Sequence, residues 1–112
     1  MPVADVVFSF GTLQLADVQR ALFGRTIEMA PDALIGYVLG ELRIVDPEVI
    51  ATSGTDLHPT LLHGAEDDLV HGVALELTPD ELAAVDHYER VSYQRAPVTL
   101  LSGRAAWVYL PR

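Results

Sequence analysis

The chain has 112 residues, half of them hydrophobic, no cysteine, and a formal charge of -9 from 16 acidic and 7 basic residues. Length and composition indicate one globular domain over 1–112 that buries roughly two thirds of its unfolded surface. The missing cysteine excludes disulfides, thiolate zinc sites and a cysteine nucleophile. All seven basic residues are arginine. So acidic a surface argues against nucleic-acid and anionic-membrane partners, and the missing lysine removes Schiff-base chemistry and a phosphate-loop lysine.

The opening MPVADVVFSFG has no basic n-region and no long apolar run, so neither a leader nor a membrane span is expected and a cytoplasmic location is. Val3 to Phe10, rich in β-branched and aromatic residues, predict a buried strand. In LADVQRALFGR, Leu15, Val18, Ala21 and Leu22 recur at helical spacing, with Gly24 as a stop. Pro31-Asp32 reads as a turn before LIGYVLGELRIV, whose Gly36 and Gly40 suggest a bulge or bend within a strand. Asp46-Pro47 is a turn signal, and residues 51–68 read as a long loop with one or two short extended pieces.

Leu69 to Leu77 predict a strand. TPDELAAVDHYER carries the clearest helix signals: Thr78 as N-cap, Pro79 at the first helical position and Glu81 completing a capping box. YQRAPVTLLS and RAAWVYL predict two strands joined by a Ser102-Gly103 hairpin. No repeat, low-complexity segment or linker interrupts the order. The expected fold class is α+β: a small, mixed, curved or barrel-like sheet with two main helices.

One carboxylate sits on the wrong face. On a helical wheel Leu82 and Val85 define the apolar stripe of the second helix, and Glu89, four residues beyond Val85, falls back onto it, with His87 opposite and Tyr88 on one flank. Desolvation and the negative end of the helix dipole would both raise its pKa, toward the range where a carboxyl can accept and return a proton near neutral pH. Alternatively Glu89 turns outward at a frayed last turn, or pairs with Arg95. Asp86, one turn back, is the rival carboxylate. His58, His63, His71 and His87 show no compact metal-ligand spacing, so no metal is expected. Ser9, Ser53, Ser92 and Ser102 form no G-x-S-x-G elbow. Tyr93, Arg95 and Tyr109 are polar residues in apolar strands. A structural role is the better reading for Tyr93, and Arg95 needs an acidic partner if it is half-buried.

FSFGTLQ (Phe8 to Gln14) resembles the Tyr-Gly-Ser/Thr-Leu turn of the gamma-glutamylcyclotransferase-like superfamily. VHGVALELTPDELAAVDHYE resembles that family's V-x-G strand followed by a helix ending Asp-x-Tyr-Glu, and YQRAPVTLLSGRAAWVYL its Tyr-x-Arg strand and closing Trp-Val-Tyr strand. The likeness covers nearly the whole chain and is nearest the short avirulence-induced branch. It implies a small fold around a curved, barrel-like sheet and a cofactor-free reaction: the α-amine of a small γ-glutamyl substrate attacks its own γ-amide carbonyl, releasing 5-oxoproline and an amine or amino acid. The family's acid/base glutamate matches Glu89, the residue the helical wheel also selects. Gly11, Thr12 and Leu13 would present backbone N–H groups to the substrate carboxylate or developing oxyanion, with Phe10, Arg95 and Tyr109 lining or bracing the pocket.

Two positions depart from the pattern. Phe10 stands where the family usually has tyrosine, and Arg90 where it often has glycine; beside Glu89 an arginine could pair with it and lower its pKa, or attract an anionic substrate. The same fold could instead carry a non-catalytic small-ligand or interaction module, or a lyase trimming a γ-glutamyl group from a specialised metabolite. Selectivity for the leaving amine is expected from the 51–68 segment, including His58.

Overall fold

The computed structural model describes residues 5–112; Val3 and Ala4 of the expected first strand lie outside them. Seven strands, three α-helices and one short 3-10 turn follow in the order β1 (Asp5–Ser9), the turn (Thr12–Gln14), α1 (Ala16–Phe23), β2 (Met29–Ile35), β3 (Tyr37–Arg43), α2 (Pro47–Ser53), β4 (Leu57–His63), β5 (Leu69–Leu77), α3 (Pro79–Glu89), β6 (Tyr93–Thr99) and β7 (Ala105–Pro111). The class is α+β. Five strands form one curved, open sheet in the order β2-β5-β1-β7-β6, while β3 and β4 form a separate two-stranded ribbon.

β1 lies at the centre, antiparallel to β5 and parallel to β7, with Val7 opposite Leu75 and Trp107. Its alternation places Val7 and Phe8 in different cores. Val7 packs with Val18, Leu75, Leu77, Leu82 and Val85 beneath α1 and α3. Phe8 packs with Leu34, Leu61, Val70, Leu100 and Val108 on the other side. Both faces of β1 are therefore apolar, as a run such as VVFSF requires.

The sequence expectations hold for β1, α1, β5, α3 and the closing hairpin. Gly24, at φ 69°, ends α1, and Thr78 and Glu81 form the expected capping box. Three segments differ. Pro31-Asp32 is not a turn but lies within β2, an edge strand of the sheet, where a missing N–H is tolerated. The turn comes instead at Gly36, whose φ of 86° joins β2 to β3. Asp46-Pro47 is the start of a third helix: the Asp46 side chain accepts the Glu48 N–H and Pro47 takes the first helical position, the same cap chemistry that opens α3. Residues 51–68 accordingly hold the end of α2 and a full seven-residue strand, β4, paired with β3 along its length.

Candidate functional site

The chain leaves β1 at Ser9 and closes a single 3-10 turn: the Gln14 N–H donates to the Gly11 carbonyl at 3.1 Å and the Leu15 N–H to the Thr12 carbonyl at 3.0 Å. The Thr12 and Leu13 N–H groups donate to no other described residue. Gln19, buried in α1, braces this turn. Its Nε2 donates to the Leu13 carbonyl and its Oε1 accepts the Ile27 N–H, both at 2.8 Å. Gly11 has φ -139°, so it is not selected by a left-handed turn as a tight glycine turn suggests. Space constrains it: a Cβ there would lie 3.3 Å from the Pro59 Cγ.

The turn forms one wall of an open cleft of about 370 Å³ that also takes in Phe10, His58, Pro59, Glu89, Tyr93 and Tyr109. Of the residues singled out in the sequence, Phe10, Gly11, Thr12, Leu13, Glu89 and Tyr109 meet here. Arg95 does not line the cleft. It sits behind it, its Nε 3.1 Å from the Asp86 carboxylate and its guanidinium 4.2 Å above the Trp107 ring.

Glu89 ends α3. Its carboxyl forms no hydrogen bond or ion pair with the other described residues, and burial pushes its pKa up to about 8. Neither alternative partner holds it: Arg95 is on Asp86, and Arg90 is 2.9 Å from Glu48 and 3.2 Å from Asp46. The rival carboxylate Asp86 accepts both Arg95 and the Tyr109 hydroxyl, the latter at 2.6 Å. Two carboxyls three residues apart are thus differentiated, one tied to donors and one left free in a poorly solvated pocket.

Tyr88 faces inward rather than to one flank: it is buried, and its hydroxyl lies 2.9 Å from the Thr12 Oγ1, linking the end of α3 to the turn. Residues 88 and 89 straddle the inward direction, a detail lost in a wheel read from two positions. Tyr93 is also in the cleft, its hydroxyl donating to the Pro59 carbonyl at 3.3 Å. Burial raises the pKa of Tyr88, Tyr93 and Tyr109 above the usual phenol value, so all three remain protonated at neutral pH. His58 is buried beside Tyr88, with Nε2 2.9 Å from the Ser53 hydroxyl. Desolvation lowers its pKa below 6.5, which keeps the ring uncharged. Tyr93 and Tyr88 are not legible as site residues in the sequence because an inward phenol is equally a core residue; the one available signal is a tyrosine on either side of Glu89. Among the described residues no three His, Asp or Glu side chains cluster as metal ligands, and no helix is long and apolar enough to cross a membrane.

A family model described as gamma-glutamyl cyclotransferase, AIG2-like, matches residues 7–112. No curated protein matches the sequence. Two solution structures of Arabidopsis thaliana proteins are similar. One has a TM-score of 0.76 at 20% identity, covering 99% of this chain and 64% of that one. The other has 0.71 at 26% identity, covering 96% and 68%. A structure named gamma-glutamyl cyclotransferase has a TM-score of 0.75 at 15% identity, covering 97% and 67%. The chain spans about two thirds of the length of each of these relatives.

Proposed function

The chain is a member of the gamma-glutamyl cyclotransferase, AIG2-like family, and on that premise we propose that it cyclises a small γ-glutamyl compound, releasing 5-oxoproline and an amine or amino acid. The observation that carries this reading is the unpaired Glu89 carboxyl, raised to about 8, in the same cleft as the Gly11–Leu13 turn.

The chemistry follows from those two walls. As carboxylate, Glu89 takes a proton from the substrate's α-ammonium and frees the amine. The amine nitrogen attacks its own γ-carbonyl carbon, forming the lactam C–N bond and moving an electron pair onto the carbonyl oxygen. Unpaired N–H groups of Thr12 and Leu13 suit that oxyanion or the substrate's α-carboxylate. Glu89 then returns the proton to the leaving nitrogen as the amide C–N bond breaks. The attacking nitrogen sheds its second proton by the same route, so both end on the released amine. All heavy atoms come from the substrate, and the scheme calls on no cofactor. A carboxyl poised near neutral pH suits both directions of transfer, and holding amine and carbonyl in one folded conformer supplies the remainder.

Incubating the pure protein with a panel of γ-glutamyl-amines and γ-glutamyl-amino acids, and following 5-oxoproline, tests the reading. Product from at least one panel member supports it. One observation favours a second reading, a non-catalytic module that binds a small carboxylated ligand: the cleft presents Phe10, a bare ring 6.4 Å from that of Phe8, where the family usually has a phenol. Retained binding of 5-oxoproline with no product from any panel member would select that module instead.

A further inference from the structure

Arg90 directly follows Glu89, yet its guanidinium is turned away from it: Nη1 donates to the His87 carbonyl and Nη2 faces another helix. Its Nη2 lies 2.9 Å from the Glu48 Oε2 and 3.2 Å from the Asp46 Oδ2. Asp46 is the N-cap of α2, and its side chain is only 9% exposed, so the ion pair also satisfies a nearly buried carboxylate. A small hollow lies between the Asp46 and Glu89 carboxyls: Asp46, Val49 and Tyr88 line it together with Glu89 and Tyr93, which also line the cleft. The guanidinium is thus paired with one wall residue of a hollow whose other wall includes Glu89.

We propose that Asp46 and Glu48 are positioning residues of the site, which hold the Arg90 guanidinium on α2 and keep the Glu89 carboxyl without a cationic partner. The groups around Glu89 are otherwise neutral or committed. The phenols of Tyr88 on α3, Tyr93 on β6 and Tyr109 on β7 are protonated, and His58 on β4 is uncharged. Asp86 is held by Arg95 and Tyr109, His87 lies 3.5 Å from Glu48, and Arg112 donates its Nε to the Arg90 carbonyl. Arg90 is the nearest cation in sequence, and a guanidinium released from Asp46 and turned toward Glu89 would favour the ionised carboxyl. An opposite charge within about 4–6 Å lowers a carboxyl pKa by roughly 1–3 units.

The inference rests on the cyclotransferase reading for its kinetic arm, whereas a direct titration of the carboxyl does not. Carbon-13 NMR of the Glu89 side-chain carboxyl would be followed against pH in the wild type, in Asp46→Asn/Glu48→Gln, and in that variant with Arg90→Ala added. Asparagine retains the cap. The expected midpoint falls by about one pH unit or more in the double variant and returns toward the wild-type position in the triple. Where turnover is measurable, the acid limb of kcat/KM moves with it. An unmoved midpoint in the double variant overturns the proposal. So does a midpoint equally lowered in the triple, since loss of two acidic charges would then account for the whole shift. Should the double variant fail to fold, Glu48→Gln with and without Arg90→Ala carries the same comparison.

Discussion

Asp86 and Glu89 lie one helical turn apart on α3, and their partners separate their roles. Asp86 accepts a guanidinium and a phenol; Glu89 accepts nothing among the described residues and is raised to about 8 by burial. If Glu89 is the base, kcat/KM rises about tenfold per pH unit up to about 8 and levels beyond it. A profile flat from pH 5 to 9 would contradict that assignment. The same shift has a stability consequence of defined sign. A carboxyl titrating near 8 when folded, against 4.5 for its ordinary value, binds its proton more tightly in the folded chain. Its contribution is complete below about 4.5 and is lost as the pH rises through 8. Glu89→Gln should therefore exceed the wild type in stability at pH 9 by a few kcal/mol, at most about 5, the gap closing toward pH 5, as urea unfolding at the two pH values would register.

At the scale of elements, the site depends on how the 3-10 turn is held between β1 and α1. Gln19 spans the gap with one side chain, satisfying the Leu13 carbonyl and the Ile27 N–H. Gln19→Leu leaves both buried groups unpaired and should cost about 2–4 kcal/mol of stability. Because Leu13 lines the cleft, KM should also rise in the folded fraction; an unchanged melting temperature would refute the bracing role. Gln19 was not legible in the sequence, since a glutamine in a short amphipathic helix looks like any exposed polar residue. α3 was legible because its signals agree: a capping box, a proline at the first position and an apolar stripe. Asp46-Pro47 carries only the N-cap and the first-position proline, without a capping box, and the helix it opens is only seven residues long, so it reads equally well as a turn. β4 was obscured because its seven residues include a proline and two histidines, one buried and one exposed.

Across the whole molecule, the topology joins segments almost eighty residues apart. β1 runs between β5 and β7, which leaves its end and the following turn facing the C-terminus of α3. Gly72 lets β5 lie close against the end of β1: a Cβ there would fall 2.3 Å from the Ser9 carbonyl oxygen and 2.8 Å from the Phe8 ring. Gly72→Ala must displace backbone at the mouth of the cleft. It should lower stability by about 1–3 kcal/mol, with a larger fractional loss of turnover than the loss of folded protein explains, as paired unfolding and rate measurements would reveal. The central claim, that Glu89 moves the protons of a γ-glutamyl cyclisation, is tested most directly by comparing 5-oxoproline release from the best panel substrate by wild-type protein and Glu89→Gln. The account predicts a fall in kcat of at least about two orders of magnitude with the fold intact; equal turnover by the two proteins would contradict it.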